Sequence, residues 1–351
     1  MARQTSQTGF ILVAVLLILV VLSLLAAGVA STASVAVSQM AREQETFQAE
    51  LDRASTRETL LVMLATQRRT LAGIQPDYVD PLLALGVMDE DASDWLPTGT
   101  EIRIDGRPYR GLGTTDFAVI DDRGRISVNW APAWLREALY RDLGALPEQW
   151  GRLHAILMDY QDGDSLRRLD GAEEDEYRRL ALPAPANQPL TSPLELRDLP
   201  VWRDLLAPLS DEDLLRRLSV TREVSVNLNT APLSVLAMFP GVGPANAARI
   251  VGVREAAPIV SLQSAQADFG IPLALEDALN LYANGSGDLI LWDRRSGSRQ
   301  VVHWTLTTLG NTGKPWRIEY EVTLPRVNQA DQRSAVPTQA ALLSAAAEDR
   351  S

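Results

Sequence analysis

The chain has 351 residues, and its 45 acidic against 33 basic side chains give a formal net charge of −12 at pH 7. This balance disfavours general affinity for nucleic acid or anionic lipid surfaces. There is no cysteine and there are only two histidines, His154 and His303. Disulfides and thiolate zinc sites are therefore excluded, no histidine-based metal centre or catalytic triad is expected, and we predict a protein that is not an enzyme.

The N-terminal segment carries the strongest pattern. Residues 10–41 contain no charged side chain, and Arg3 is the only charge ahead of them. As a helix, residues 10–30 span roughly 31 Å, the thickness of a bilayer core. Arg3 predicts a cytoplasmic leader and places the chain after Ala41 on the far side of the membrane. A cleaved secretory signal, with the small residues 27–31 as its cleavage site, is the alternative.

The helical pattern continues into residues 42–69 without a break. Apolar side chains recur there on one face, at steps of three, four and seven: Phe47, Leu51, Ala54, Leu61 and either Leu64 or Ala65. The pattern predicts one helix over residues 10–72, ended by Gly73. Because its second half is amphipathic, it needs a partner surface.

The segment TSQTGF, residues 5–10, together with this helix resembles the N-terminus of type IV pilins and type II secretion pseudopilins. The resemblance implies that a prepilin peptidase cuts after Gly9 and methylates the new N-terminus, Phe10. Most members carry a glutamate five residues into the mature chain, where this sequence has Ala14. That glutamate is thought to pair with the N-terminus of the subunit ahead, and an unpaired carboxylate in hydrocarbon is costly. Its loss predicts a subunit at the filament tip.

The remainder alternates between strand-like and helical patterns. Strand-like runs cover residues 101–111, 115–122, 124–131, 288–295, 299–310 and 315–324. The turn at 121–124 predicts that 115–122 and 124–131 form a hairpin. We predict an α+β fold in which the long helix packs on one antiparallel, pilin-like sheet.

The predicted sheet domain comprises residues 73–131 and 284–325. A large all-helical insertion, residues 132–283, interrupts it, and the tail 326–351 is expected to be flexible.

Inside the insertion, FPGVGPANAARI (239–250) has the features of a helix-hairpin-helix, an element that grips DNA phosphates. Gly241 and Gly243 permit a tight turn, and the following helix opens near Pro244. Upstream, Thr230 is expected to cap a helix beginning at Ala231, with three side chains turned to the core: Leu233, Leu236 and either Met238 or Phe239.

The charge around this hairpin argues against DNA. Residues 224–282 contain two arginines and four acids, and residues 264–272 lack the paired glycines of a second hairpin. We predict a packing module that binds no nucleic acid. The alternative function is a membrane-tethered DNA-binding or DNA-uptake protein that uses Gly241, Gly243 and Arg249.

A motif order narrows the resemblance. VNLNTAP (226–232) follows DYQDGD and DGAEEDEY, and this order resembles the minor pseudopilin K family of type II secretion systems, over nearly the whole chain from Gly9 to Leu324. The resemblance implies a subunit at the tip of the periplasmic pseudopilus that helps to initiate its assembly for protein export across the outer membrane. It also implies minor pseudopilins I and J as partners, whose N-terminal helices bundle with this one.

The segment 159–177 holds eight acids against Arg167 and Arg168. Carboxylates at this density repel one another unless solvent or a cation screens them, and oxygen ligands suit calcium. The spacing is not that of an EF-hand, and a solvated acidic loop is the alternative. The resemblance implies calcium in the helical domain, and the candidate ligands are Asp159, Asp162, Asp164 and Glu173.

Overall fold

The computed structural model describes residues 8–79, 95–307, 313–326, 335–338 and 340–344. The chain divides after Leu51 into two compact units. In the described residues the α-helices are α1 Thr8–Thr66, α2 Ala133–Asp142, α3 Pro147–Gln161, α4 Glu174–Arg179, α5 Trp202–Leu206, α6 Asp211–Arg217, α7 Leu233–Leu236, α8 Gly243–Ala256, α9 Leu262–Phe269 and α10 Ala341–Ser344. Short 3-10 helices cover Asp122–Gly124, Pro193–Asp198 and Leu273–Ala278.

The strands are β1 Gln67–Arg69, β2 Gly73–Val79, β3 Ile102–Arg103, β4 Tyr109–Arg110, β5 Thr115–Asp121, β6 Ile126–Ser127, β7 Leu218–Ser219, β8 Val226–Asn227, β9 Leu279–Asn280, β10 Ser286–Asp293, β11 Arg299–Leu306 and β12 Trp316–Leu324. Helices and antiparallel strands therefore coexist in the chain, and the predicted α+β class is confirmed.

The long helix is present but ends earlier than predicted. α1 ends at Thr66 rather than at residue 72, and the chain continues directly into β1, which pairs antiparallel with β2. Gly73 is not the helix stop. It lies in β2 with φ +151°, and an added Cβ would stand 2.2 Å from the carbonyl oxygen of Ile102. The glycine is required because β2 and β3 approach closely at this point.

In the second unit, the last turns of α1 pack on the sheet. Leu61 and Leu64 are buried as predicted, together with Leu60 and Met63, whereas Ala54 is exposed. These helix residues share one core cluster with side chains from the central strands of the sheet: Phe117, Val119, Leu289, Leu291 and Val302. The predicted packing of helix on sheet is confirmed for this part of α1.

One antiparallel sheet joins strands from both sides of residues 132–283, as predicted, but β1, β2 and β3 form a second, three-stranded sheet that was not predicted. The strand order of the first sheet is β12-β11-β10-β5-β4. Strand β5 lies before the insertion and β10 after it, and they pair directly, for example Val119 with Leu289. All seven residues of β5 are buried, including the polar residues at its two ends, and the central residues 117–120 are all apolar.

The predicted hairpin between 115–122 and 124–131 is wrong. Residues Asp122–Gly124 form a 3-10 helix, and β6 pairs parallel with β7 instead of returning along β5. The side chain of Arg125 is buried and pairs with Asp288 of β10, and the chain does not continue back along β5.

The insertion is mainly helical but not all-helical. Two parallel two-stranded ladders, β6 with β7 and β8 with β9, lie within or at the border of residues 132–283. The insertion has its own core, built around the fully buried Trp202 and Tyr177. Strand β10 begins at Ser286, and the predicted domain boundary at residue 283 stays a prediction.

Part of the predicted flexible tail is ordered. Val336 exchanges backbone hydrogen bonds with Pro108 and Arg110 at 3.0 and 2.9 Å. Ala340 and Leu343 are buried in the same core cluster as the end of α1. These apolar side chains contribute to the core, which a low-aromatic composition did not reveal.

Candidate assembly surface and acidic site

The helix α1 is long and apolar enough to cross a membrane. Beyond residue 30, the exposed large apolar side chains of α1 include Val35 and Val62, and four more that share one side of the helix: Val37, Met40, Phe47 and Leu51, at 66%, 70%, 61% and 43%. Because an α-helix turns about 100° per residue, these positions fall within one narrow stripe. We call them the helix stripe.

The opposite side of this helix carries Ser38, Arg42, Glu45 and Ala49, with Val35 as its exposed large apolar residue. Charged residues on one side and apolar residues on the other are typical of a helix that packs against another helix. The stripe at 37–51 extends the predicted face of Phe47 and Leu51 toward the N-terminus. The geometry suits a lateral helix–helix contact.

The predicted processing junction lies in the first turn of α1. Gly9 and Phe10 follow Thr8, the first helical residue, and their side chains lie outside the described set. Cleavage after Gly9 and methylation of Phe10 stay predictions.

The acidic loop is organised by one arginine. Asp159, at the end of α3, is fully buried, and it accepts hydrogen bonds from the Arg168 backbone N at 3.2 Å and from Arg168 Nη1 at 2.7 Å. The same guanidinium contacts Asp162. An added Cβ at Gly171 would stand 1.9 Å from Asp159 Oδ2, so the chain passes directly over the carboxylate. Arg168 therefore supplies the positive charge for two of the four candidate ligands.

The other candidate ligands are less well satisfied. Asp162 Oδ1 and Glu173 Oε1 are buried and have no hydrogen-bond partner, whereas Asp164 accepts from the Leu166 backbone N at 2.8 Å. Burial, and then the charges of Asp159, Asp162 and Asp164, raise the pKa of Glu173. Orphaned carboxylate oxygens fit a cation. Yet among the described residues, no three His, Cys, Asp or Glu side chains are arranged as a metal-ligand set.

The hairpin glycines are used for internal packing. Gly241 has φ +81°, and a Cβ there would stand 2.6 Å from the Gly270 carbonyl oxygen. The space beside Gly241 that a phosphate would need is therefore occupied by the backbone at Gly270 of the same chain. Arg249 is also engaged: its guanidinium lies 5.5 Å from the Phe269 ring centroid and donates to Asn246 at 2.9 Å.

Two details of the predicted hairpin are wrong. Helix α7 begins at Leu233 behind Pro232, without a side-chain cap, because the Thr230 hydroxyl donates instead to Asp121 at 2.8 Å. Leu236 and Phe239 are buried as predicted, but Leu233 is 45% exposed.

A buried polar network, not predicted from the sequence, joins the insertion to the sheet. Arg125 donates from Nη1 to Asp288 at 2.5 Å and to the Leu215 carbonyl at 2.7 Å, and it also pairs with Asp122. His303 Nδ1 lies 2.7 Å from Asp288 Oδ1. We call Asp122, Arg125, Asp288 and His303 the buried charge cluster.

The charges in this cluster stabilise one another. Burial acts to raise the pKa of Asp288, but the Arg125 charge and the His303 hydrogen bond prevail and lower it to about 2. Burial acts to lower the pKa of His303, but the charges of Asp122 and Asp288 outweigh it and raise that pKa. Removal of either the buried cation or its carboxylates would leave the remaining charge buried without a partner, which is destabilising.

The motif VNLNTAP contributes a second part of the same junction. Asn227 donates to Asp121 at 3.1 Å, and Asn229 donates to the carbonyls of Ile259 and Leu281 at 3.0 and 3.2 Å. Burial raises the pKa of Asp121 to about 6 despite these donors. The motif residues therefore bind other parts of this chain. The sequence did contain one signal for this buried junction, namely a charged residue inside an apolar strand pattern, such as Asp288.

The chain was compared with known proteins. Residues 124–208 match the family model described as Type II secretion system (T2SS), protein K, which confirms the resemblance predicted from the motifs. A chain in the crystal structure of the GspK-GspI-GspJ complex from the enterotoxigenic Escherichia coli type 2 secretion system is 16% identical, with 81% of this chain and 99% of that chain covered at a TM-score of 0.45. No curated protein sequence matches the chain.

Proposed function

We propose that this chain, a minor pseudopilin of the type II secretion protein K family, lies at the tip of the periplasmic pseudopilus and helps to initiate its assembly. In this proposal residues 10–30 anchor it in the bacterial inner membrane, and the bulk of the chain is periplasmic. Its role is assembly and not catalysis. The family match over residues 124–208 and the apolar character of α1 support it.

The helix stripe is the observation that carries the assembly role. Its four apolar side chains are exposed, and burying one such side chain stabilises a contact by about 1.5–3 kcal/mol. The partners we propose are the N-terminal helices of minor pseudopilins I and J.

Co-purification with these partners tests the stripe. Met40→Ser combined with Phe47→Ser is expected to abolish recovery of the complex and protein secretion. The matched control, Glu45→Ser combined with Ala49→Ser, changes the opposite face of the same helix and is expected to behave as the parent. Equal recovery for both double variants would overturn the proposed contact.

Processing has its own test. Intact-mass and N-terminal analysis of the mature protein should find methylated Phe10, produced by the prepilin peptidase after cleavage behind Gly9. A mature chain that begins at Ser31, or still at Met1, would exclude the pseudopilin pathway for this protein.

The tip position is tested at Ala14. A leading subunit has no neighbour's N-terminus ahead to neutralise a carboxylate in hydrocarbon, so Ala14→Glu is expected to be neutral or mildly harmful to secretion. An internal subunit would gain a charge pair. Better assembly of the glutamate variant, or its incorporation along the filament, would contradict the tip position.

Calcium binding by Asp159, Asp162, Asp164 and Glu173 is part of the proposal. The orphaned oxygens of Asp162 and Glu173 support it, and calcium would compete with Arg168 for the other carboxylates. Calcium is expected to raise the melting temperature of the full chain in detergent, and Glu173→Gln to reduce that shift. Glu148→Gln, in the first turn of α3, is the control. No shift at millimolar calcium would exclude the site.

The DNA-binding alternative is not favoured. Gly241 already approaches the Gly270 carbonyl, and Arg249 lies against Phe269. We expect the full chain in detergent to show no salt-dependent DNA binding at micromolar concentration. Tight binding that is lost in Arg249→Glu would reverse this ranking.

A further inference from the structure

The C-terminal part of the chain covers the β4 edge of the five-stranded sheet. The carbonyl oxygen of Val336 accepts a hydrogen bond from the Arg110 backbone N at 2.9 Å, and the Val336 backbone N donates to the Pro108 carbonyl at 3.0 Å. Through these bonds Val336 forms a parallel β bridge with Tyr109. We call the described residues between 335 and 344 the strap.

The end of the strap places apolar side chains in the core. Ala340 and Leu343 are 0% and 6% exposed, and they belong to the same core cluster as Leu60 and Leu64 of α1. The neighbouring Leu342 is 52% exposed. The strap is therefore held by a backbone bridge and by inward-facing side chains, which is how a peptide ligand is held at a sheet edge.

This attachment is partial. Val336 is 46% exposed, and Pro337 has no backbone N–H with which to continue the ladder. An open cleft of about 310 Å³ lies beside the strap, and its lining includes Pro337 of the strap, Ile102 of β3 and Ala256 of α8. The strap therefore covers the β4 edge without filling the space next to it.

The β4 edge has the two parts that strand addition requires. An uncovered sheet edge offers backbone groups to another chain, and pockets for side chains then give specificity. Here Pro108 and Arg110 supply the backbone groups, and the core cluster supplies a pocket for Leu343. The strap itself shows what fits: an extended segment with a β-branched residue at the edge, Val336, and a leucine seven positions later.

We propose that the strap is releasable, and that the strand-addition site beneath it accepts an extended segment of a partner protein with the same pattern. While the strap is docked, it excludes a competing segment. When it lifts, the Pro108 carbonyl, the Arg110 N–H and the pocket of Leu343 become available together. This goes beyond the assembly role of the helix stripe, because it concerns a different surface of the chain.

Displacement by a peptide tests the proposal on the full chain in detergent. The probe is a labelled, capped peptide with the sequence of residues 335–344, AVPTQAALLS, and fluorescence anisotropy measures its binding. Leu343→Ser in the chain weakens the chain's own strap, so the peptide should bind this variant at least about tenfold more tightly than the parent. Leu342→Ser changes the exposed neighbour and is the matched control, expected to behave as the parent.

A second peptide tests the pattern. When the peptide itself carries Leu343→Ser, it should bind none of the three chains measurably, because the pocket loses its apolar side chain. The proposal is overturned if the first peptide binds the three chains equally, if it binds none of them, or if the serine peptide binds as tightly as the first.

Hydrogen exchange of the parent chain tests the release without any variant. A strap that opens locally exposes the amides of Val336 and Arg110 at the same time, so both should exchange at least about tenfold faster than that of Leu289 in β10. Exchange as slow as that of Leu289 would mean that the strap opens only when the sheet unfolds. That result would overturn the proposal even if Leu343→Ser prevents folding.

Discussion

Carboxylates are paired with a buried arginine in the buried charge cluster and with an exposed arginine in the acidic loop. Asp122 and Asp288 are almost completely buried and share Arg125, which is itself 2% exposed. In the loop, Arg168 pairs with Asp159 and Asp162 while its own side chain remains 44% exposed. Both regions are rich in acids, but the cation is buried only in the first; in the loop Asp159 is buried while its partner Arg168 stays exposed.

The difference shows what burial demands. A carboxylate taken out of water requires a cation and hydrogen-bond donors, whereas an exposed one can be screened by solvent and salt. In the cluster both carboxylates are therefore paired with the Arg125 cation, although Arg125 Nε has no acceptor, and the cluster joins the insertion to the sheet. The loop retains orphaned oxygens, at Asp162 and Glu173, which suit a ligand.

Replacing the central cation of the cluster should have the largest effect. Arg125→Met leaves Asp122 and Asp288 buried without their cation, and we expect a loss of about 3–5 kcal/mol in the free energy of unfolding. Urea denaturation in detergent measures it. Arg217→Met is the control, since its pair with Asp142 is partly exposed and should contribute less than about 1 kcal/mol. Equal losses would break the contrast between buried and exposed pairs.

Acid should weaken the cluster through Asp288. Its folded pKa of about 2 lies below the ordinary value of 3.8, so its contribution is present above about pH 4 and is lost as the pH falls through 2. We expect the protonation of Asp288 to lower the free energy of unfolding by about 2 kcal/mol over this pH range. Denaturation at pH 5 and near pH 2 measures it, and Asp288→Asn should lack this part of the slope. An unchanged slope in the variant would show that other groups cause it.

Within the loop, packing over Asp159 should matter more than loop conformation. Gly171→Ala places a Cβ against the Asp159 carboxylate, and we expect a loss of about 1–3 kcal/mol in the free energy of unfolding. Gly163→Ala, in the same loop, has open space around its Cβ and should change little. Similar melting temperatures for the two variants would mean that Asp159 is not held tightly.

The smallest effect should have the opposite sign to that at Asp288. The pKa of Glu173 is raised, so its contribution to stability is present at low pH and is lost as the pH rises through that pKa. With EGTA at pH 7, Glu173→Gln should therefore stabilise the protein slightly, by less than about 0.5 kcal/mol. The urea midpoint measures this change. If Glu173→Gln is instead destabilised, the Glu173 carboxylate makes a stabilising contact in the folded protein. The loop and the buried charge cluster would then not differ in the sign of this effect.

Local patterns in the sequence determined several features of this protein. The uncharged run at 10–41 predicted the apolar part of α1, because helix length and hydrophobicity are local properties. Strand-like runs on both sides of residues 132–283 predicted one sheet with an insertion; β5 and β10 pair across it, but β1, β2 and β3 form a separate three-stranded sheet. The order of short motifs was sufficient to predict the family.

Only the tertiary structure decided which residues meet. Arg125 and Asp288 are 163 positions apart in the chain, and no periodicity relates them. The turn at 121–124 looked like a hairpin because a local pattern cannot show that Arg125 is drawn into a buried ion pair. Gly241 looked suited to a phosphate for the same reason, since the Gly270 carbonyl that fills its space is distant in sequence. A sequence pattern reports that a residue is buried or closely approached, whereas the identity of its partner depends on how the whole chain packs.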